Sequence, residues 1–207
     1  MGLKVLGRVT SINVRKVLWA ADEMGLSYER EDWGKPARDP NVPEFLKLNP
    51  NAQVPVIVDD GFVLWESQAI IRYLAEKNGS DLLPSDARER AIVDQWLGWQ
   101  ATELNPTWMY AYKAKIRNTP ANPDPALVVE SMKGWADKLR IFEARLMGEG
   151  AFVANGRFSL ADIVLGLSTH RWMMMPLERP RFPAVEGHYR ALLGRIAAKG
   201  YMGEGTP

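Results

Sequence analysis

Three short segments carry the residue types from which a small-molecule site is built. Thr10-Ser11-Ile12-Asn13 places two hydroxyls and an amide just ahead of a helical pattern, where loop side chains face whatever sits above the helix start. Ser, Thr and Asn are equally good helix N-caps, so capping is the plainer use of the same residues. Val54-Pro55 opens a strand. Proline has no amide hydrogen and belongs at a strand start or edge, and X-Pro is the bond at which a cis peptide is affordable. A cis bond would leave the Val54 amide and carbonyl to pair with an extended, peptide-like ligand, a β-addition one residue long. An ordinary edge proline is the alternative. Glu66-Ser67 stands where a helix follows a strand directly. The opening amides of a helix lack internal partners and carry partial positive charge, so a carboxylate docks there, Ser67 adds a hydroxyl, and Glu66 can accept from an ammonium group. A ligand with an amino-acid head satisfies both residues; a simple cap satisfies the local chain alone.

Composition limits what else the chain can be. Its 207 residues hold 26 Lys plus Arg against 25 Asp plus Glu, without a basic block of the kind that neutralises many phosphates, so no nucleic-acid partner is expected. With no Cys, the protein can supply neither a nucleophilic sulfur, a disulfide nor a thiolate metal site, and His170 and His188 alone make a multi-histidine metal centre hard to assemble. The first residues are too short in apolar run for a signal peptide, and no stretch reaches the ~18 apolar residues of a spanning helix. A cytoplasmic protein without membrane contact or metal is the expectation.

The elements that must position the three segments follow from pattern. Leu3 to Leu6 is a short strand; Val14, Val17, Leu18 and Ala21 repeat at helical spacing; Gly25 ends that helix with a left-handed cap; Tyr28 to Asp32 resumes as a strand. Pro43 to Leu48 gives one or two helical turns. Val54 to Val58 and Phe62 to Trp65 flank Asp60-Gly61, whose residue types suit the two positive-φ positions of a type I′ hairpin. Ser67 then caps a helix with Ile70, Tyr73 and Leu74 inward, stopping at Asn78-Gly79. From about Ser85 the pattern is helical throughout: Asp86 past Trp108 with a kink at Pro106, Leu127 to Met147, Ser159 to about Met175, and Pro183 to Ala198. The expected division is residues 1–79, a linker at 80–86, and helices over 87–207.

Taken together, the cis-proline signature at Val54-Pro55, the Glu66-Ser67 pair, the helical second part and Ser159-Leu160-Ala161-Asp162, similar to that family's helix-capping box, resemble the cytosolic glutathione S-transferases over essentially the whole chain. The resemblance implies an α/β thioredoxin-like N-terminal domain that binds glutathione, followed by an all-α domain. It assigns the cysteinyl part of glutathione to the Val54 main chain beside Pro55, the γ-glutamyl head to Glu66 and Ser67, and makes Gln53 a further contact. Trp33 and Lys35 follow the second strand, where family members often recruit a basic or aromatic residue for the glycyl carboxylate, although a solvated loop is the simpler reading.

Classes of the family differ in the group that activates sulfur. No tyrosine lies in the first strand or its loop, and cysteine is absent. The serine-type motif falls on Ser11, Asn13 matches a bacterial subgroup in which an asparagine assists or replaces the hydroxyl, and Thr10 is the adjacent alternative; the theta and nu classes are the nearest patterns. The likeness further implies conjugation of the stabilised thiolate to a small hydrophobic electrophile against Trp108, Met109, Tyr112 and Ile12, and a homodimer with about Ile71 to Arg90 at its interface. Trp108, Met109 and Tyr112 read equally well as interhelix core. Glutathione-dependent reduction of peroxides or disulfides, and a non-catalytic ligand-binding or scaffold protein of the same fold, are the alternatives.

Overall fold

The computed structural model describes residues 2–203, so Met1 and residues 204–207, which close the expected first and last segments, lie outside it. The chain divides into two compact units between Leu83 and Pro84.

The first unit is a four-stranded sheet in the order β2-β1-β3-β4, formed by β1 (Leu3–Leu6), β2 (Tyr28–Glu31), β3 (Val56–Asp59) and β4 (Phe62–Trp65). β1 runs parallel to β2 and antiparallel to β3, and β3 is antiparallel to β4. Helices α1 (Ile12–Glu23) and α3 (Ser67–Lys77) pack on each other. Successive residues of a strand point to opposite faces. Val5 and Ile57, paired across β1 and β3, are fully buried on one face; Leu6 and Val56, the next pair, form a second cluster with Trp33 and with Phe45 of α2 (Pro43–Leu46).

Local chemistry explains where these elements stop. After α1 the Leu26 amide reaches the Ala21 carbonyl and Gly25 sits at φ +65°, the Schellman arrangement that spends orphan carbonyls at a helix end. Asp60 and Gly61 both take positive φ, 49° and 92°, which turns β3 into β4 in two residues.

Three details differ from the sequence reading. β3 begins at Val56, because Val54 and Pro55 belong to the loop before it. Glu66, not Ser67, is the N-cap of α3: its carboxylate accepts from the Gln68 amide at 3.0 Å, and Ser67 is the first helical residue. Ile71 rather than Tyr73 completes the buried face with Ile70 and Leu74.

The Tyr73 hydroxyl instead donates to Asp59 Oδ2 at 2.7 Å, and Lys77 Nζ donates to the same oxygen at 2.6 Å, tying α3 to the end of β3. The Lys77 ammonium holds the buried Asp59 carboxyl below the usual carboxylate range. Because the folded group binds its proton more weakly than the unfolded one, the contact stabilises fully above the unfolded value of about 3.9, and that contribution disappears as pH falls through the depressed folded value. Asp59→Asn is therefore expected to flatten the acid limb of stability, read as thermal midpoints between about pH 3 and pH 7.

The second unit is helical among its described residues: α4 (Ala87–Trp99), α5 (Asn105–Lys115), α6 (Pro125–Glu149), α7 (Leu160–Met174) and α8 (Pro183–Leu193), with a short 3-10 turn at Ala197–Gly200. The irregularity expected at Pro106 begins earlier, as a π-helical segment, Gln100–Leu104, that joins α4 to α5. A proline ring cannot approach the carbonyl four residues back, and a widened turn relieves that clash without ending the helix. α7 is buried along nearly its whole length, so it is the axis of this unit.

Candidate functional site

Gly7 brings the end of β1 close to two other segments. A Cβ at that position would lie 2.4 Å from Val14 Cγ2 and 3.3 Å from Val54 Cβ, so only a residue without a side chain lets the β1–α1 loop pass between α1 and the loop before β3. Val14 is β-branched and packed, with little room to give way. Gly7→Ala is expected to cost about 3 kcal/mol, measurable as a lowered denaturant midpoint.

The loop before β3 is built on Asn49. Its buried side chain donates from Nδ2 to the Gln53 carbonyl at 2.8 Å, and its Oδ1 accepts from the Asn51 amide at 3.0 Å and from Asn51 Nδ2 at 2.9 Å. These bonds fix the approach to Val54-Pro55, whose peptide is cis. Among the described residues the Val54 amide and carbonyl take no hydrogen-bond partner within the chain, which leaves a donor and an acceptor side by side.

Glu66 reaches its cap position with φ +76°, a conformation that costs a non-glycine residue of order 1–3 kcal/mol and persists where the surroundings impose it. It turns the chain from β4 straight into α3 and presents the Ser67 amide and hydroxyl at the helix start, which is an electropositive position.

These parts meet around a depression of about 250 Å³ in the first unit, bounded by Asn13, Gln53, Val54, Pro55, Glu66 and Ser67, together with Asn49, Asn51 and Trp65. A larger hollow, of about 630 Å³, lies at the end of the sheet where β1 and β2 begin, between Leu3, Tyr28 and Gly61; none of the residues singled out for chemistry borders it. Asn49, Asn51 and Trp65 were not selected from sequence. The Asn49-Pro50-Asn51 run reads there only as a loop, yet an asparagine that can close a turn with its own side chain is the one local signal for Asn49.

Of the candidates on the β1–α1 loop, only Asn13 borders the depression. Ser11 is the N-cap of α1, but its hydroxyl makes no capping bond, so it is uncommitted at the helix start; the Asn13 side chain likewise makes no hydrogen bond among the described residues. The Thr10 hydroxyl accepts from Arg8 Nη1 at 3.0 Å. Ile12 is buried.

Trp33 belongs to the core, not to an open surface. Its ring packs on Phe45 with centroids 4.8 Å apart, and its indole N–H donates to Glu31. Glu31 in turn is held below the usual carboxylate range by its hydrogen bond from Lys4 and the one from that indole. Lys35 is exposed and pairs with Asp39 at 3.0 Å. Neither Trp33 nor Lys35 borders the depression.

In the second unit Trp108 and Tyr112 are buried, edge to face with each other, and the Arg171 guanidinium lies over both rings, 4.7 and 3.9 Å from their centroids. Interhelix packing, including Trp108 on Trp135, accounts for both rings, whereas Met109 is 41% exposed. Among the described residues no group of His, Asp and Glu is placed to hold a metal ion, and no helix is long and apolar enough to cross a membrane.

A parallel-and-antiparallel four-stranded sheet with a cis-proline loop, a helix start beside it and a following helical unit defines a thioredoxin-like α/β domain joined to an all-α domain. Residues 1–76 match the glutathione S-transferase N-terminal domain. Glutathione S-transferase 3 of Zea mays is 33% identical over 95% of this chain and 90% of its own length, and glutathione S-transferase GstB of Escherichia coli (strain K12) is 29% identical over 93% and 94%. The crystal structure of a theta class glutathione S-transferase from Xanthomonas axonopodis pv. citri, with glutathione bound, superposes with a TM-score of 0.94 at 32% identity, covering 100% of this chain and 99% of that one. The chain belongs to the glutathione S-transferase family of enzymes.

Proposed function

We propose that the protein holds glutathione in the depression of its first unit and conjugates the bound thiolate to small hydrophobic electrophiles, as a metal-free cytoplasmic homodimer of the serine- or asparagine-assisted kind. In this reading the Val54 amide and carbonyl pair with the cysteinyl residue of the tripeptide, Gln53 extends that contact, and the Ser67 amide and hydroxyl take the γ-glutamyl carboxylate. Glu66 takes the ammonium through the carboxylate oxygen not used in capping. Ser11 and Asn13 donate to the sulfur. No general base is required, since a thiol needs only stabilisation of its anion.

The observation that carries the reading is the convergence of an unpaired Val54 main chain, the start of α3 and the Asn13 amide on one small depression. Calorimetric titration with glutathione, followed by conjugation assays with an activated aryl halide, tests it. Saturable binding with turnover is the expected result. Binding without turnover across an electrophile panel would make the protein a ligand carrier of the same fold, and no binding at millimolar glutathione would overturn the reading.

A further inference from the structure

The β1–α1 loop contains a cation that differs from its neighbours. On the adjoining segment Arg30 pairs with Asp32, Arg38 with Glu31 at 3.3 Å, and Lys35 with Asp39. Among the described residues Arg8 has no carboxylate partner. Its side chain is half-buried and its Nε is out of contact with water and without a hydrogen-bond partner. A guanidinium nitrogen held out of water without a partner carries a cost, and an anion at the loop would offset it.

The geometry holds this cation in place. Gly34 leaves the space it occupies, since a Cβ there would lie 3.0 Å from Arg8 Nε and 3.2 Å from Arg8 Cδ. The Arg8 amide donates to the Trp33 carbonyl at 2.9 Å, and its carbonyl accepts from the Ser11 amide at 3.1 Å. Nη1 donates to the Thr10 hydroxyl. Arg8 therefore clamps both sides of the loop that ends in Ser11, the N-cap of α1.

We propose that Arg8 is the positioning residue of the sulfur loop: seated on Gly34 and bonded to Thr10, it sets Thr10–Asn13 and leaves an unneutralised positive charge there that favours an anionic sulfur. The inference rests on the reading that glutathione sulfur lies at this loop. On the adjoining segment Arg30 pairs with Asp32 and Arg38 with Glu31, and Arg15 and Lys16 are buried in α1, so within the loop itself Arg8 is the charge nearest to Thr10–Asn13 along the chain.

The test follows the thiolate absorbance of bound glutathione against pH in the unsubstituted protein, in Arg8→Met and in Arg8→Lys, with binding of S-methylglutathione, which has no ionisable sulfur, measured alongside. In Arg8→Met the ionisation midpoint is expected to rise by about one pH unit, a tenfold loss of thiolate stabilisation. S-methylglutathione binding is expected to change by less than about threefold. Arg8→Lys keeps the charge without the planar fork and is expected to recover part of the shift.

A folded Arg8→Met protein with an unmoved midpoint, or equal losses for both ligands without a shift, overturns the proposal. If that variant does not fold, Arg8→Gln keeps a polar side chain over Gly34 without the charge; a smaller upward shift supports the proposal and none overturns it. Failure of the unsubstituted protein to bind either ligand sinks the glutathione reading, and the Arg8 proposal with it.

Discussion

Replacing both Ser11 and Asn13 with alanine is expected to move the ionisation of bound glutathione, which the two residues lower to about pH 6.5 if they stabilise the thiolate as proposed, back towards the ~8.5 of a free thiol. That two-unit change corresponds to about 2.7 kcal/mol. Two hydrogen bonds to a charged sulfur, each about 1.5–3 kcal/mol, are enough to supply it, with the start of α1 adding a smaller share. The two side chains suit the task because neither is spent on the chain: Ser11 caps α1 in position but not through its hydroxyl, and Asn13 borders the depression with its amide uncommitted.

The thiolate fraction at pH 7 should fall from about three-quarters to about 3%, roughly 25-fold. The conjugation rate should fall less, because a sulfur anion that is stabilised less is also a better nucleophile. The decisive measurement is therefore the pH titration of the thiolate band, not the rate alone. An unchanged midpoint in the double variant would remove both residues from the sulfur site.

Asp162→Ala is expected to have the largest effect on stability. The carboxylate is completely buried at the start of α7 and accepts four bonds: Oδ1 from the Val153 amide at 2.9 Å and from His188 Nε2 at 3.0 Å, Oδ2 from the Ser159 amide and Ser159 hydroxyl, both at 2.9 Å. The His188 contact is a hydrogen bond when the imidazole carries its proton on Nε2. One side chain thereby joins the segment before α7, the cap of α7 and helix α8.

Alanine would leave all four donors buried without partners, at about 1–3 kcal/mol for each unmet group before relaxation. A net loss of about 4 kcal/mol or more is expected, a large part of the 5–15 kcal/mol by which domains of this kind are stable. Asp162→Asn, which keeps one acceptor oxygen and turns an amide against existing donors, should lose less. Denaturant midpoints of the two variants check the order. A loss below about 1 kcal/mol for Asp162→Ala would mean that the helical unit does not depend on this junction.

The elements were legible wherever local chemistry sets them. The helical spacing of Val14, Val17, Leu18 and Ala21, the cap at Gly25, the Asp60-Gly61 turn and the capping box at Ser159 to Asp162 each state their conformation within a few residues. Those signals are strong because they come from backbone sterics and from periods of two and 3.6 residues, which do not depend on distant parts of the chain.

The site was legible as segments and not as a surface. Sequence pointed to Asn13, Val54, Glu66 and Ser67, but which of Thr10, Ser11 and Asn13 borders the depression depends on Gly7 slipping between Val14 and Val54, a contact spanning more than forty residues of chain. Trp33 packs on Phe45, and Trp108 and Tyr112 lie beside Trp135 and Arg171, surroundings that residue type and spacing leave open. Asn49 declared itself only through its bond to the Gln53 carbonyl. Residue type and spacing specify what a side chain can do and roughly which element carries it. Its final direction is settled by packing against residues far away in sequence, where interiors as dense as crystals leave each group one place to go.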